Sequence, residues 1–470
     1  MTDRTLSHQL AEFAASVTFE TLPPPVVSSV KDRILDTIGI CLAAAAEGLA
    51  DGVIALAEAW GGREEAGIVG RAGRFPAPVA AQVNGTLAHS LDFDDTHLPS
   101  ILHPSASIVP ATLALAEAVG ASGRDAIAAA AVGIEVCVRI GMGGQLPEGN
   151  VWFDRGWHTT AICGTMGAAA LGAKLLGLGV DGIRNALGIA ASFASGVIEA
   201  NRTGGSVKRL HCGWAAHSGL LAAFLAKAGY TGPPTVLEGR FGLYNAFIDA
   251  RFDPANVVGG LGEEWSIPKI FYKPYPANHY THGGIDAAIA IRRKYGPLDP
   301  DQVERIELGV AGPTLRTIGQ PREEKIRPQS GYHAQFSGPF TVATALLGGS
   351  GLGVSFDDFT DEKARDPRVL ALAAKVEPYA DPEADAIYPY QFPAIVRVHF
   401  RDGRVVEERV MANRGGPDNP LSPEELRLKF MINATRLVTA ERAEQLAEAI
   451  LALDERGLPV DIVALARPAI

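Results

Sequence analysis

The side chains best suited to chemistry crowd into residues 88–104. Asp92, Asp94 and Asp95 lie there with His89, His97, His103 and Thr96, between plain apolar sequence over 78–87 and 108–119. Carboxylates and imidazoles are costly to bury unless they are paired or used, so this density reads as a site, with an exposed acidic loop as the alternative. Imidazoles transfer protons near neutral pH, and carboxylates beside them set ring orientation and tautomer. Asp92, Asp94, Asp95 and His103 could also hold a divalent metal.

Four further stretches bring polar groups into apolar surroundings. Gly156-Trp157-His158-Thr159-Thr160 sets His158 at the mouth of a helix of small residues, where helix capping is the plain alternative. Residues 201–211 carry Arg202, Lys208 and Arg209 in a loop that opens into a helix. Free N–H groups at a helix start, with Lys208 and Arg209, suit a carboxylate; the alternative is a solvated basic loop. In residues 273–282, two prolines stiffen the backbone from which Lys273, Tyr275, His279, Tyr280 and His282 project, at a domain boundary where clefts tend to form or as a rigid linker. Residues 332–340 lead polar groups into an apolar helix, or simply cap it.

Other chemistries find no support. There is no Gly-x-Ser-x-Gly elbow and no reactive cysteine setting, which disfavours acyl-transfer hydrolysis. Cys41, Cys137, Cys163 and Cys212 stand singly, unlike a zinc site, an iron–sulfur ligand set or a disulfide framework. Gly177-Leu178-Gly179-Val180-Asp181-Gly182 matches a dinucleotide fingerprint, but it joins helix to helix instead of strand to helix. A net charge of −11 argues against nucleic acid or an anionic membrane as partner, so an anionic small molecule needs a local basic pocket. No apolar run follows Met-Thr-Asp-Arg-Thr at the start, and 161–180 and 338–356 lack the sustained large apolar content of a membrane span. The expectation is a cytoplasmic protein with no membrane partner.

Helices must position most of these residues. At 470 residues, with 47% hydrophobic and 20% charged, two packed domains are the default. Val27, Val30, Ile34, Ile38 and Leu42 recur at three- and four-residue intervals after a run of prolines, predicting a helix. Similar patterns cover 54–60, 79–87, 108–119, 125–141, 159–176, 183–200 and 213–228, and their abundant Ala and Gly predict closely approaching central helices. After Pro268, residues 303–311, 394–400 and 405–411 alternate as strands, the last two joined by an Asp402-Gly403 hairpin signal. Helical patterns occupy 283–295, 339–347, 423–436 and 440–453. The predicted fold is mainly α: a large all-helical domain formed by both ends of the chain (1–268 and 416–470), with an inserted smaller α+β lid domain (269–415).

Residues 89–96, 156–160, 208–213 and 273–276, with Ile34-Leu35-Asp36-Thr37-Ile38-Gly39 and Phe336-Ser337-Gly338-Pro339-Phe340, resemble the MmgE/PrpD family, in order and over nearly the whole chain. The resemblance implies a helical domain with a lid, a homodimer, a small di- or tricarboxylate substrate, and catalysis with neither metal nor organic cofactor. Carried over position by position, it implies that Asp92, Thr96, His103, His158, Lys208 and Lys273 line the site. His103 and His158 are then the proton-transfer pair, and Lys208 and Lys273 hold substrate carboxylates with Arg209 as helper. Asp92 orients an imidazole or lysine, and Thr96 binds substrate. Asn278, with His279 beside it, and Phe340 join the substrate-binding set, at positions where decarboxylating members carry a histidine and a tyrosine. The first reading is a hydro-lyase acting on a 2-methylcitrate-like tricarboxylate through proton transfer next to a carboxylate. An epimerase of an iminodisuccinate-like substituted succinate and a cis-aconitate-type decarboxylase are alternatives, since one carbanion serves all three. A non-catalytic carboxylate binder and a metal-dependent hydrolase are the rivals of other classes.

Overall fold

The computed structural model describes residues 4–200 and 205–468, and its architecture is mainly α. The chain forms two compact units, Met1–Ile270 with Phe430–Ile470, and Phe271–Lys429.

The first unit is built on α1 (Leu6–Ser16), α2 (Pro24–Ala46), α3 (Asp51–Trp60), α4 (Ala77–His89), α5 (Ser105–Val119), α6 (Gly123–Gly143), α7 (Val151–Asp154), α8 (Thr159–Leu175), α9 (Gly179–Ala190) and α10 (Val207–Lys227). Two short antiparallel ribbons, β1 (Ala66–Gly67) with β2 (Arg74–Phe75) and β3 (Gln145–Leu146) with β4 (Gly149–Asn150), decorate it. Helix α8 packs against α6 and α10, and α10 against α4. Small residues set these distances. A Cβ on Gly213 would stand 2.2 Å from the carbonyl oxygen of Gln82, and one on Gly167 would stand 2.4 Å from that of Gly133. Helix α6 has the length and hydropathy of a membrane span, but it is almost wholly buried within the unit. Cys41, Cys137, Cys163 and Cys212 are all buried and free, and burial raises each thiol above its usual range.

Two helix ends differ from the sequence pattern. Helix α9 stops at Ala190 instead of running to 200, because the following loop is drawn into pairing with residues 156–158. Gly196, at φ 139°, accepts the His158 N–H at 2.9 Å, and Gly156 accepts the Ile198 N–H at 2.9 Å. Helix α10 begins at Val207, before the apolar repeat that starts at 213.

The second unit holds the sheet. Strands β5 (Val303–Val310), β6 (Val376–Ala380), β7 (Ala394–Phe400) and β8 (Val405–Val410) lie in the order β6-β5-β7-β8. Strands β7 and β8 form the expected hairpin, with Gly403 at φ 87° in its turn. Strand β6 was not legible: it is five residues long and contains Pro378, which an edge strand tolerates because no neighbour needs its N–H. The helices His282–Tyr295 and Gly338–Leu347 bury Ile285, Ile289, Val342 and Leu346 in one core with Ile306, Leu308, Val396 and Val398 of the sheet. Residues 416–429, expected in the helical domain, belong to this unit. Arg414 pairs with Glu425 there, and Gly416 lies against the Phe271 ring.

Beneath that core the Tyr275 hydroxyl donates to Asp286 at 2.5 Å and accepts from Arg414 at 3.0 Å. Burial pushes the Asp286 carboxyl up to about 6 from an ordinary 3.8. The folded chain therefore keeps a proton that the unfolded chain has released across this range. The contribution to stability is full below about 4 and is lost as pH rises through about 6. Asp286→Asn should flatten this slope by up to ~3 kcal/mol, read as the wild-type-minus-variant difference in urea unfolding free energy between pH 4 and 7. A difference that does not move with pH would refute the assignment.

Candidate active site

Helix α4 ends at His89, and the chain then turns through a compact loop to α5 at Ser105. One buried ion pair shapes this loop. Arg33 of α2 donates to Asp95 Oδ2 at 2.6 Å and to the carbonyls of Ile267 and Ile270 at 2.9 Å each. Asp95 also accepts the Ser105 N–H at 3.1 Å and the Ser105 hydroxyl at 2.5 Å, joining the loop to the start of α5. The backbone carbonyl of the same Asp95 lies 2.7 Å from His103 Nδ1. A carbonyl only accepts, so His103 carries its proton on Nδ1, and Nε2 of the neutral ring is left with a lone pair, the form of a general base. Thr96 Oγ1 flanks the same Nδ1 at 3.2 Å, so its hydroxyl serves the ring in this structure. The His103 N–H is held by Thr160 Oγ1 at 3.0 Å, tying the loop to α8.

Around His103 the unit gathers three more imidazoles. His89 donates from Nδ1 to Asp94 Oδ2 at 2.7 Å, and its ring centre lies 5.1 Å from that of His103 and 5.5 Å from that of His158. His158, held at the start of α8 by the Gly196 carbonyl, lies 2.8 Å from His211 of α10, Nδ1 to Nδ1. Burial holds the His158 imidazole well below its usual value, helped by His89, Lys208, His211 and His103. Burial, with His89 and Lys208, likewise lowers His211 to about 4. Both rings are therefore neutral at physiological pH. His97 is structural: it bonds Ser100 at 2.7 Å, and burial, Arg33 and Lys269 lower it to about 3.

Lys208, in the first turn of α10, extends to Asp92 Oδ1 at 3.3 Å. Asp92 adopts φ 51°, a left-handed conformation that Asp tolerates better than most residues. Of its two expected roles, the contact with Lys208 corresponds to orienting a lysine. Arg209 is half-buried on the same turn and forms no ion pair among the described residues. The neighbouring Asn201, Arg202, Thr203 and Gly204 fall outside the described residues. The three loop carboxylates diverge, Asp92 to Lys208, Asp94 to His89 and Asp95 to Arg33. Among the described residues no group of three or more His, Cys, Asp or Glu is arranged to hold a metal ion.

Lys273, Asn278, His279 and Phe340 belong to the second unit. Lys273 and His279 are buried there, His279 among Phe271, His282 and Phe392. The Asn278 side-chain oxygen accepts the Tyr280 N–H at 3.1 Å, so it caps a helical turn. Phe340, expected in the substrate-binding set, is wholly buried in the unit's apolar core, 6.4 Å ring to ring from Phe359. An apolar ring that starts the helix Gly338–Leu347 is taken up by packing.

Thus Asp92, Thr96, His103, His158 and Lys208 are gathered in the first unit, and His89, Asp94 and His211, assigned no proton-transfer or substrate role from sequence, join them. His211 had a signal, since a position three after Lys208 on a helix shares its face. His89 and Asp94 were conspicuous by density, but only folding reveals that Asp94 serves His89.

Most of the chain matches one family. The model of the MmgE/PrpD N-terminal domain matches residues 8–254, and that of the C-terminal domain matches residues 275–455. The chain belongs to the MmgE/PrpD family. Among its relatives, the cis-aconitate decarboxylase of Mus musculus is 30% identical over 446 residues, covering 92% of this chain and 87% of the mouse protein. The Homo sapiens cis-aconitate decarboxylase is 32% identical over 392 residues, 81% of this chain and 78% of the human one. That of Aspergillus terreus (strain NIH 2624 / FGSC A1156) is 28% identical over 461 residues, 95% and 92% of the two chains. Family and relatives support a lyase.

Removing Asp95 should collapse the loop. Asp95→Ala leaves Arg33 buried without its carboxylate, a change that costs about 3–5 kcal/mol. Chemical denaturation should register that loss, and an unfolding free energy within ~1 kcal/mol of wild type would contradict the role given to the pair.

Proposed function

We propose that the protein is a lyase that moves a proton at a carbon next to a carboxylate of a small tricarboxylate, with decarboxylation of a cis-aconitate-type acid as its reaction. The observation that carries this reading is the buried group of neutral imidazoles beside a lysine, with His103 held by the Asp95 carbonyl in its basic tautomer. The names of the relatives support the substrate class. Departure of carbon dioxide leaves an electron pair on the carbon it quits, and such a carbanion is too basic to form unaided in neutral water. A fixed ammonium in a dry site offsets that charge, and preorganised electrostatics of this kind supply the larger part of many rate enhancements. An imidazole that has taken up a proton from water then delivers it to that carbon, a step that contributes about 10²–10⁴-fold. Lys208 is the cation in the first unit. Lys273 enters the proposal as a second carboxylate ligand on the sequence resemblance.

A second reading, dehydration of a 2-methylcitrate-like acid, uses the same groups in the opposite order: a carbon-bound proton is taken, and the departing hydroxyl is protonated. It is favoured by Asn278 and Phe340, which are occupied in capping and core packing at the two positions where decarboxylating members carry histidine and tyrosine.

The exposed face of α10 supports a homodimer. Val207, Leu210, Trp214 and Leu221 stand exposed at successive spacings of three, four and seven residues, a seam that suits another helix, and a twofold axis would lay it against its own copy. Trp214→Glu should convert a sedimenting dimer to monomer, and a wild type that sediments as a monomer at micromolar concentration would remove the proposal.

The functional reading is tested by proton NMR in deuterated water, with the full chain given cis-aconitate and, separately, 2-methylcitrate. Loss of carbon dioxide from cis-aconitate, lowered at least ~10²-fold in His158→Ala, is the expected result. Loss of water from 2-methylcitrate alone would move the assignment to the second reading. Neither exchange nor turnover with either acid would reject both.

A further inference from the structure

His158 and His211 face each other through like atoms. Their Nδ1 nitrogens are 2.8 Å apart, a hydrogen-bond distance, and such a bond holds one proton, which one ring donates and the other accepts. Each ring can occupy either role, because among the described residues neither Nδ1 has a carbonyl or carboxylate to impose one. In this the pair differs from His89, fixed by Asp94, and His103, fixed by the Asp95 carbonyl. The two rings come from separate helices, α8 and α10, brought together where Gly196 passes over them. A Cβ on Gly196 would lie 2.7 Å from Ala161 Cβ and 3.5 Å from His211 Nδ1. The contact is therefore built by three segments, not left by chance on one.

We propose that His211 is a positioning residue for His158: it shares one proton with His158 across their Nδ1 atoms, and so takes up the proton that His158 collects, or returns the one it delivers, at Nε2. The step balances. When His158 Nε2 takes a proton from carbon, the C–H bond breaks, its electron pair stays on carbon, and the His158 Nδ1 proton moves to His211 Nδ1. His158 ends neutral with its proton on Nε2, and His211 carries the positive charge. Delivery to carbon runs the same transfers backwards, once His211 has taken a proton from water. The direction follows from the surroundings. Positive charge on His158 faces His89, His103 and Lys208 from a more deeply buried position, whereas His211 faces His89 and Lys208. A proton rests at lower free energy on His211, so His158 is returned to a neutral, working state within each turnover.

This rests on the proton-transfer reading above, and the test separates the two. In unliganded protein, nitrogen-15 long-range NMR should find His158 and His211 in complementary states, one protonated at Nδ1 and the other bare there. His211→Leu removes the bond; His211→Asn keeps a group able to bond His158 Nδ1 but unable to take its proton. Both should lower kcat roughly 10²-fold, leave KM within a few-fold, and shift the pH profile of kcat, with added imidazole restoring part of the rate in His211→Asn. Should His211→Leu fail to fold, judged by circular dichroism, His211→Asn decides alone. Two rings that both carry, or both lack, a proton at Nδ1 would overturn the proposal, as would a folded variant with wild-type kcat across the pH range. If wild type turns over no acid, the proposed function falls, and the NMR result still decides whether the proton is shared.

Discussion

A guanidinium withdrawn from water is the constraint on which the first unit depends. Arg33 lies in the middle of α2 with its side chain 1% exposed, and Asp95 is equally buried. Leaving either charge alone in that interior is untenable, so the loop must bring Asp95 to Arg33 wherever else it goes. Once Asp95 is placed, much else follows. Its carboxylate gathers the start of α5, and its carbonyl sets the tautomer of His103. The carbonyls of Ile267 and Ile270, near the end of the unit's first segment, accept from the other terminal guanidinium nitrogen, Nη2. A single ion pair thus links α2, the polar loop, α5 and the end of that segment.

The site that results is governed by a tension between desolvation and charge. Burial disfavours protonated imidazole, and a nearby lysine disfavours it further, so His158 and His211 stay neutral where exposed histidines begin to protonate. The lysine is itself balanced by Asp92, whose left-handed backbone costs of order 1 kcal/mol and is held by the packing around it. A neutral ring can serve as acid or base according to tautomer alone. That choice is made by hydrogen-bond partners: a carbonyl for His103, a carboxylate for His89, and a second imidazole for His158.

The scaffold around these groups works by subtraction. Glycines on α4, α6, α8 and α10 allow helix backbones to meet at distances no side chain would permit, and His89, His158 and His211 are carried on, or just ahead of, those helices. The second unit solves its packing differently. A four-stranded sheet buries one face under two helices, and Phe340 belongs to that core.

Much of this was legible from residue order alone. Period and composition located the helices of the first unit, the hairpin at Asp402-Gly403 and the change of texture after Pro268, because burial imposes repeats of 3.6 and 2 on any chain that packs. The density of Asp and His in residues 88–104 marked the site, and the motif set pointed to the family. Three things were decided only in three dimensions. Helix α9 ended early because a loop found its partner at residues 156–158, a contact between segments with no local signature. Strand β6 formed because β5 offered it an edge, despite a proline that argues against a strand. The partners of the histidines and carboxylates, Asp94 for His89, Arg33 for Asp95 and His211 for His158, were hidden because hydrogen bonds join atoms that are near in space, while a sequence records only which residues are near along the chain. Residue types could say that protons move here; the directions of lone pairs, and hence which nitrogen is bare, exist only once the helices have met.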